Sequence, residues 1–156
     1  MRGNDIGSFR RDVLLAPQVP HRIGFQANFL QSAVQLDGNG GPHVRLETAN
    51  REILSGILDG SKAAWKYVDF PSGLTKFTVR VRSLSGGYIS VHQDQSFYGE
   101  IAGVDVPAGK GEWVTLECEL EGYKEGPQAL WFTFSGEYGS WRSPVELFEI
   151  DWFRFE

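Results

Sequence analysis

The sequence predicts an all-β protein, an antiparallel β-sandwich, on three observations. Its strongest pattern is the short run of alternating apolar and polar residues, which is typical of a half-buried strand. Clusters of Gly, Pro, Asn and Ser, which form turns, separate these runs. The composition, with 13% aromatic residues and 19 glycines in 156 residues, also suits strands and turns. A chain of this length is enough for one domain with a single core.

The first segment is expected to lie outside the sandwich. Residues 1–20 carry several arginines and end in Pro17 and Pro20, so we interpret them as a linker or the tail of a preceding domain. An added edge strand through residues 12–15 is the alternative. The module itself is predicted to span residues 21–156.

The strands can be placed from the alternation. Five early strands are predicted at residues 22–29, 33–36, 43–48, 52–57 and 63–68. The clearest run, residues 77–82, ends in a Ser- and Gly-rich turn, and residues 88–92 resume the pattern, which predicts a hairpin. Later strands are predicted at residues 113–120, 129–134 and 147–155. Short strands of this spacing pack as two sheets face to face.

Charge and composition exclude several classes of partner. The formal net charge of −5 argues against nucleic acid, which needs clustered Lys and Arg. No apolar run is long enough to cross a bilayer, and the first residues contain no apolar segment of a signal peptide. We therefore expect a fragment of a longer chain that carried any export signal. The single Cys118 alternates with acidic residues and is predicted to be a buried structural thiol.

No arrangement of residues predicts catalysis. The three histidines, His21, His43 and His92, lack the spacing of metal ligands. The sequence contains no nucleophile elbow, phosphate-binding loop or dinucleotide fingerprint. Carboxylates are plentiful, but a sequence cannot place two of them across a cleft. The protein is therefore not expected to be an enzyme.

From Ser55 onward an ordered set of segments resembles carbohydrate-binding module family 6. The set consists of residues 56–70 with the run Trp65-Lys66-Tyr67-Val68-Asp69-Phe70, then residues 77–81, 86–91, 111–115 and 148–155. It covers about two-thirds of the chain. The run ending in Val-Asp-Phe is similar to modules found C-terminal to glycoside hydrolase family 43 enzymes, which act on xylan and arabinan side chains.

The resemblance implies a jelly-roll sandwich with a sugar-binding cleft in the loops at one end. Aromatic planes there stack on the apolar face of a sugar, and a polar residue bonds its hydroxyls. Trp113 matches the stacking tryptophan, although it could instead begin a strand and face the core. Glu149 stands where the family has asparagine, so it can accept but not donate. Gly56 stands at the position of the other stacking aromatic.

A loop directly before the last strand could replace that missing aromatic. Residues 137–144 form a polar, Gly-bearing loop that carries Tyr138 and Trp141, and Arg142 could donate to hydroxyls or to a uronic carboxylate. Lys62 stands where the family's second site has an aromatic, so that site is expected to be weak or missing. Four other aromatics in strand patterns are expected to pack in the core: Trp65, Trp131, Trp152 and Phe155.

The family also implies a structural calcium ion. Gly24 and Gln26 stand where two acidic ligands are expected, while Asp151 of the closing segment is retained. Glutamine can ligate calcium through its carbonyl, but the loss of charge weakens such a site. Gln26 and Asp151 are therefore predicted to form a weak site or none, and no cofactor is required.

Two functions follow from the resemblance. The first is non-catalytic binding of a plant cell-wall polysaccharide of xylan or arabinoxylan type, outside the cell, which holds a tethered glycoside hydrolase near its substrate. The alternative is a structural module that packs against the catalytic domain and has a degraded sugar site. The departures from the family pattern at Gly56, Lys62 and Glu149 favour the alternative.

Overall fold

All regular structure that the computed structural model describes is β-strand. The structure describes residues 42–49 and 51–156, and the backbone of residues 21–22. The side chains of Lys66 and Tyr67 are not included. The strands are β1 (His21–Arg22), β2 (His43–Thr48), β3 (Arg51–Ser55), β4 (Lys62–Phe70), β5 (Lys76–Ser83), β6 (Gly87–Gln93), β7 (Glu100–Val106), β8 (Trp113–Glu119), β9 (Gly126–Ser135), β10 (Gly139–Ser140), β11 (Ser143–Pro144) and β12 (Phe148–Phe155). The predicted linker, the predicted strand at residues 33–36 and Gln26 lie outside these residues.

The strands form two antiparallel sheets. One has six strands in the order β2-β3-β12-β5-β8, with β1 also pairing with β12. The other has four strands in the order β4-β9-β6-β7, and β10 and β11 form a separate small hairpin. Every strand pair is antiparallel, and the predicted β-sandwich is confirmed.

The inner faces of the two sheets enclose an aromatic core. In β5 the apolar Phe77, Val79 and Val81 are buried in it, while the intervening Thr and Arg side chains face outward. At its centre the rings of Trp65, Phe132 and Phe153 meet edge to face, with centroids 4.8–5.0 Å apart. Such pairs are each worth about 1 kcal/mol beyond the burial of apolar area.

A β-bulge in β12 sets which of its residues face outward. Ile150 pairs with Val81 and Trp152 pairs with the next residue of β5, so Asp151 is the extra residue between them. Ile150 and Phe153 therefore both face the core, and Glu149 and Asp151 lie on the opposite face of the sheet. That outer face carries the candidate site.

Two expectations about strand pairing and packing were wrong. Residues 77–82 and 88–92 do not form a hairpin, because β5 and β6 belong to different sheets. The turn between them instead bonds to the segment before β12, where Leu84 N–H and Gly86 N–H both donate to the Leu147 carbonyl. Alternation predicts that a segment is a strand but not which strand lies beside it. Trp152 was also expected in the core, yet it is half-buried outside it, with the Arg154 guanidinium 5.6 Å from its ring.

The remaining core predictions agree better with the structure. Trp65 and Phe155 are fully buried, and Trp131 is half-buried against the core. Cys118, predicted to be buried, is half-buried against the core, and partial burial raises the pKa of its thiol. The strand β7 was not predicted, because Gly103 interrupts the apolar run of Ile101 and Ala102.

Candidate functional site

Trp113 lies on the outer face of the six-stranded sheet. It begins β8 and pairs with Arg82 of β5, whereas the next residue, Val114, packs against the core. The preceding loop folds back on the end of β5, where Gly111 N–H donates to the Ser83 carbonyl at 2.8 Å. Gly111 has φ of 93°, a left-handed conformation that favours glycine. The alternative that Trp113 faces the core therefore does not hold.

Guanidinium groups surround the Trp113 ring. The Cζ atoms of Arg51, Arg82 and Arg80 lie 4.8, 4.9 and 5.6 Å from its centroid. Cations at these distances are attracted to the face of an indole. The half-buried ring is thus held in place by the arginines, and it shares its stacking surface with them.

Glu149 lies next to this group and is almost fully buried. Trp113, Arg82 and Glu149 stand side by side on the adjacent strands β8, β5 and β12. Glu149 Oε1 accepts from Arg82 Nε at 2.8 Å, and Oε2 accepts from Ser55 Oγ at 2.6 Å and from Arg45 Nη2 at 2.8 Å. Both oxygens are therefore engaged within the protein, and the hydrogen-bond donors of this surface belong to the arginines.

Glu47 completes a closed set of charges, here called the Arg–Glu ring, made of Arg45, Glu47, Arg82 and Glu149. Arg82 Nη1 lies 2.7 Å from Glu47 Oε1, and Arg45 Nη1 lies 3.1 Å from Glu47 Oε2. Each arginine thus contacts both acids, and each acid contacts both arginines. The ring joins β2, β5 and β12 on the outer face of the sheet.

The Arg–Glu ring keeps its acids ionised. Burial raises the pKa of Glu149, but hydrogen bonds from Ser55, Arg82 and Arg45 outweigh burial, so the pKa is below its ordinary value. The hydrogen bond from Arg82 likewise lowers the pKa of Glu47. Ionised carboxylates are the partners that a guanidinium binds most strongly.

Gly56 is held in a conformation that an aromatic residue would resist. Its φ of 73° is left-handed, which costs an ordinary residue about 1 kcal/mol. Its N–H donates to Glu146 Oε1 at 3.1 Å, and Ser55 Oγ lies 3.3 Å from the same oxygen. Glu146 therefore ties the segment before β12 to the end of β3, and the position offers no aromatic ring to a ligand.

Tyr138 and Trp141 lie on the β10–β11 hairpin. Their side chains are 57% and 69% exposed, and the Arg142 guanidinium lies 4.7 Å from the Trp141 ring. The hairpin leaves the same end of the sandwich at which β8 and β12 begin. Among the residues that the structure describes, however, no ring contact or hydrogen bond joins Tyr138 or Trp141 to Trp113. The predicted site residues thus form two separate groups, Trp113 with Glu149 and the hairpin with Arg142.

The described surroundings of Asp151 disfavour a calcium ion. Arg51 Nε donates to Asp151 Oδ1 at 3.0 Å, and Arg80 Nε lies 3.3 Å from Oδ2. Two guanidiniums at one carboxylate repel a divalent cation. Gln26, the other predicted ligand, lies outside the described residues. Within residues 42–49 and 51–156, no cluster of three or more His, Cys, Asp or Glu could hold a metal.

The arginines around Trp113 were not among the predicted site residues. The signal was present in β5, where Arg80 and Arg82 alternate with buried valines and so must face outward. Only the strand register places Trp113 beside them, and only the sheet order brings Arg51 of β3 close.

As for membrane association, the described part of the chain includes no helix long and apolar enough to cross a bilayer.

Comparisons with known proteins agree on the family. The model of the carbohydrate binding module (family 6) matches residues 32–156. A family 6 module from Clostridium cellulolyticum in complex with xylose has 24% identity and a TM-score of 0.64, over 74% of this chain and 87% of that one. A β-1,3-glucan binding family 6 module from Bacillus halodurans has 23% identity and a TM-score of 0.62, over 74% and 85%.

A third solved structure is a larger enzyme. It is a glycoside hydrolase family 43 arabinoxylan arabinofuranohydrolase from Bacillus subtilis in complex with cellotetraose, with 25% identity and a TM-score of 0.64. The alignment covers 74% of this chain but only 24% of the enzyme. No curated protein matches the sequence. With its family model matched over most of the chain and its sandwich shared with solved members, the protein belongs to carbohydrate-binding module family 6.

Proposed function

We propose that this module binds a xylan- or arabinoxylan-type polysaccharide without catalysis and holds an attached glycoside hydrolase at its substrate. The observation that carries the proposal is the position of Trp113, which lies outside the core at the loop end of the sandwich, with Arg82 between it and Glu149. A tethered module needs only a modest affinity, because attachment raises the effective concentration of the substrate.

The arrangement suggests how a sugar would be held. The C–H face of a pyranose stacks on the part of the indole of Trp113 that remains accessible. The Arg51 guanidinium donates to its hydroxyls, because it already lies within 5 Å of that ring. Glu149 acts here by fixing Arg82 and Arg45 rather than by accepting from the sugar, since both of its oxygens are engaged.

The hairpin supplies the second half of the site in this proposal. Trp141 is open to solvent except where Arg142 covers it, so a neighbouring sugar of the same chain can stack there. Arg142 remains the residue proposed to donate to a hydroxyl or a uronic carboxylate. The aromatic that Gly56 lacks is thereby replaced from a different loop.

Similar proteins support the choice of polysaccharide and of partner. The solved Clostridium module is bound to xylose, and the Bacillus subtilis enzyme is an arabinoxylan arabinofuranohydrolase in which a region resembles this chain. Because such polysaccharides lie outside the cell, the proposal implies a secreted parent protein. The β-1,3-glucan binding module, compared with the module bound to xylose, shows that related sandwiches take different sugars.

A second candidate function is a structural module that packs against a catalytic domain. The observation that favours it is the engagement of the expected sugar-binding groups within the protein. Three guanidiniums lie around Trp113. Both oxygens of Glu149 accept hydrogen bonds from Arg82, Arg45 and Ser55.

Titration of xylohexaose and an arabinoxylan oligosaccharide against two variants separates the two functions. Trp113→Ala should weaken binding by about 2 kcal/mol, roughly 30-fold. Trp152→Ala is the matched control, because Trp152 is also a half-buried tryptophan beside an arginine on the outer side of the sheet. Its effect on affinity should be less than about twofold. Equal effects of the two variants, or no binding by the unmodified protein, would favour the structural module.

A further inference from the structure

Two exposed aromatic rings lie at the end of the sandwich opposite Trp113. Phe97 and Tyr98 are in the loop between β6 and β7, and their side chains are 72% and 61% exposed. Their ring centroids are 5.0 Å apart and their planes are inclined at 61°. We call this pair the aromatic ledge. It belongs to neither group of site residues described above.

The loop that carries the ledge is firmly held at both ends. Asp94 begins it with φ of 67°, and its N–H donates to the Ala129 carbonyl at 2.7 Å. Ala129 N–H donates back to Asp94 Oδ1 at 3.3 Å. At the other end the Tyr98 carbonyl accepts from Nδ1 of the buried His92 at 3.0 Å. A ligand of the ledge would therefore have little loop ordering to overcome.

The surroundings of the ledge are polar. Glu100, two residues beyond Tyr98, is exposed and accepts from the Tyr88 hydroxyl at 3.0 Å. On the other side Asp94 lies 3.7 Å from Lys124 Nζ. The rings are thus a small apolar surface on a loop that is flanked by the carboxylates of Asp94 and Glu100.

The size of the ledge decides what can bind. Two rings offer roughly 300 Å² of apolar surface even if fully covered. A stable protein interface needs about 800 Å² from each partner. A pyranose fits better, because its apolar C–H face matches one ring and its hydroxyls can donate to nearby carboxylates.

We propose that the Phe97–Tyr98 ledge is a second sugar-binding site, which takes a pyranose unit of a polysaccharide independently of Trp113. Strands of seven to eight residues separate the two ends by about 25 Å. One polysaccharide chain or two neighbouring chains can therefore contact both ends, which raises avidity for polymers over short oligosaccharides.

The test maps the amide signals of isotope-labelled protein by NMR during titration with xylohexaose, cellohexaose and laminarihexaose. At least one of these sugars should shift the amides of residues 94–99 in a saturable way, both in the unmodified protein and in Trp113→Ala. The double variant Phe97→Ala, Tyr98→Ala should lose these shifts or need about tenfold more sugar. Tyr98→Phe keeps the ring and should retain them.

Matched controls exclude trivial explanations. Leu46→Ala removes an exposed apolar side chain elsewhere and should leave the shifts at residues 94–99 unchanged. The melting temperature of the double variant should equal that of the parent, because both rings are largely exposed. If the melting temperature of the double variant falls, the titration is repeated with Tyr98→Ala alone. His92 holds the backbone carbonyl of Tyr98, so removal of the Tyr98 ring should leave the loop folded.

Three results would overturn the ledge as a site. They are no saturable shift at residues 94–99 with any of the three sugars, a shift that survives the double variant, or a shift that disappears in Trp113→Ala. Shifts confined to residues 94–99 would support the ledge while contradicting the proposed function of the Trp113 surface. Shifts confined to the Trp113 end would do the opposite.

Discussion

Trp113 and Trp141 were both expected to stack on sugars, yet the protein presents them in different ways. Trp113 is half-buried on a sheet with three guanidiniums around it. Trp141 is 69% exposed on a small hairpin, with one guanidinium beside its ring. The first ring is ordered before any ligand arrives, whereas the second must lose side-chain freedom on binding. Rigidity and accessibility are thus divided between two tryptophans.

Removal of the Glu149 side chain should have the largest effect, because it removes support from the surface around Trp113 and leaves the hairpin with Trp141 unchanged. Glu149→Ala leaves Arg45 and Arg82 without one of their two acids, and the Arg82 side chain is only 18% exposed. We expect the free energy of unfolding to fall by about 3 kcal/mol, measured by urea denaturation.

Glu117→Ala is the control for that experiment. Within the described residues Glu117 pairs only with Lys76, and its side chain is 63% exposed, so the loss should stay below about 0.5 kcal/mol. If the two variants are equally stable, the Arg–Glu ring does not support the Trp113 surface.

Alanine substitutions of the two tryptophans should also differ in their effects on sugar binding and on stability. Trp113→Ala is expected to cost about 2 kcal/mol in binding, and Trp141→Ala about half as much, because the hairpin side chain pays more entropy on ordering. Trp113→Ala should also lower stability by about 1 kcal/mol through lost cation–π contacts, whereas Trp141→Ala should not. Titration calorimetry and thermal melts of both variants measure these effects, and the reverse order would refute the division of roles.

Acid should loosen the Trp113 surface without affecting the hairpin. The pKa values of Glu149 and Glu47 lie below the ordinary 4.5, so the folded protein binds fewer protons than the unfolded chain. Their contribution to stability is complete above pH 4.5 and declines as the pH falls through the folded pKa values. The loss of stability in acid should be smaller than the loss caused by Glu149→Ala, because a protonated acid still accepts hydrogen bonds.

Melting temperatures measured from neutral pH downward test this in the protein and in Glu149→Gln. Glu156 also has a pKa lowered by Lys76, so the informative quantity is the difference between the two curves. That difference should shrink as the pH falls below 4.5. A difference that stays constant would mean that Glu149 is not held ionised.

Calcium should have the smallest effect of all. Asp151 is neutralised by Arg51 and Arg80, so it offers no net negative charge to a cation. We expect a chelator to leave the melting temperature unchanged within the scatter of repeat scans. A marked rise on adding calcium would place the ion at ligands other than the described neighbours of Asp151.

Much of the fold could be predicted from the sequence because each central strand buries one face. Apolar and polar residues alternate through most of β5 and β8, and both strands lie where they were expected. The false hairpin shows the limit of that reasoning. Whether residues 88–92 fold back on residues 77–82 depends on the segment near Leu147, which is distant in the sequence. Local alternation carries no information about such a partner.

The candidate site was predicted less well, for the same reason. Trp113 and Glu149 were found through a family resemblance, and the register places them on neighbouring strands on either side of Arg82. The arginines that determine their environment come from β2, β3 and β5, which are far apart in the chain. The left-handed φ of Gly56 was equally invisible, although it explains why an aromatic would be strained there.

The bulge in β12 has a consequence for changes in chain length. In most strands the deletion of one residue turns every following side chain to the opposite face. Asp151 is an exception, because it is the unpaired extra residue between Ile150 and Trp152. Its removal would leave a regular strand with Glu149 still outward and Phe153 still inward. The protein would lose a carboxylate between Arg51 and Arg80 but not its core, so a buried strand of this sandwich contains one position at which a deletion could be tolerated.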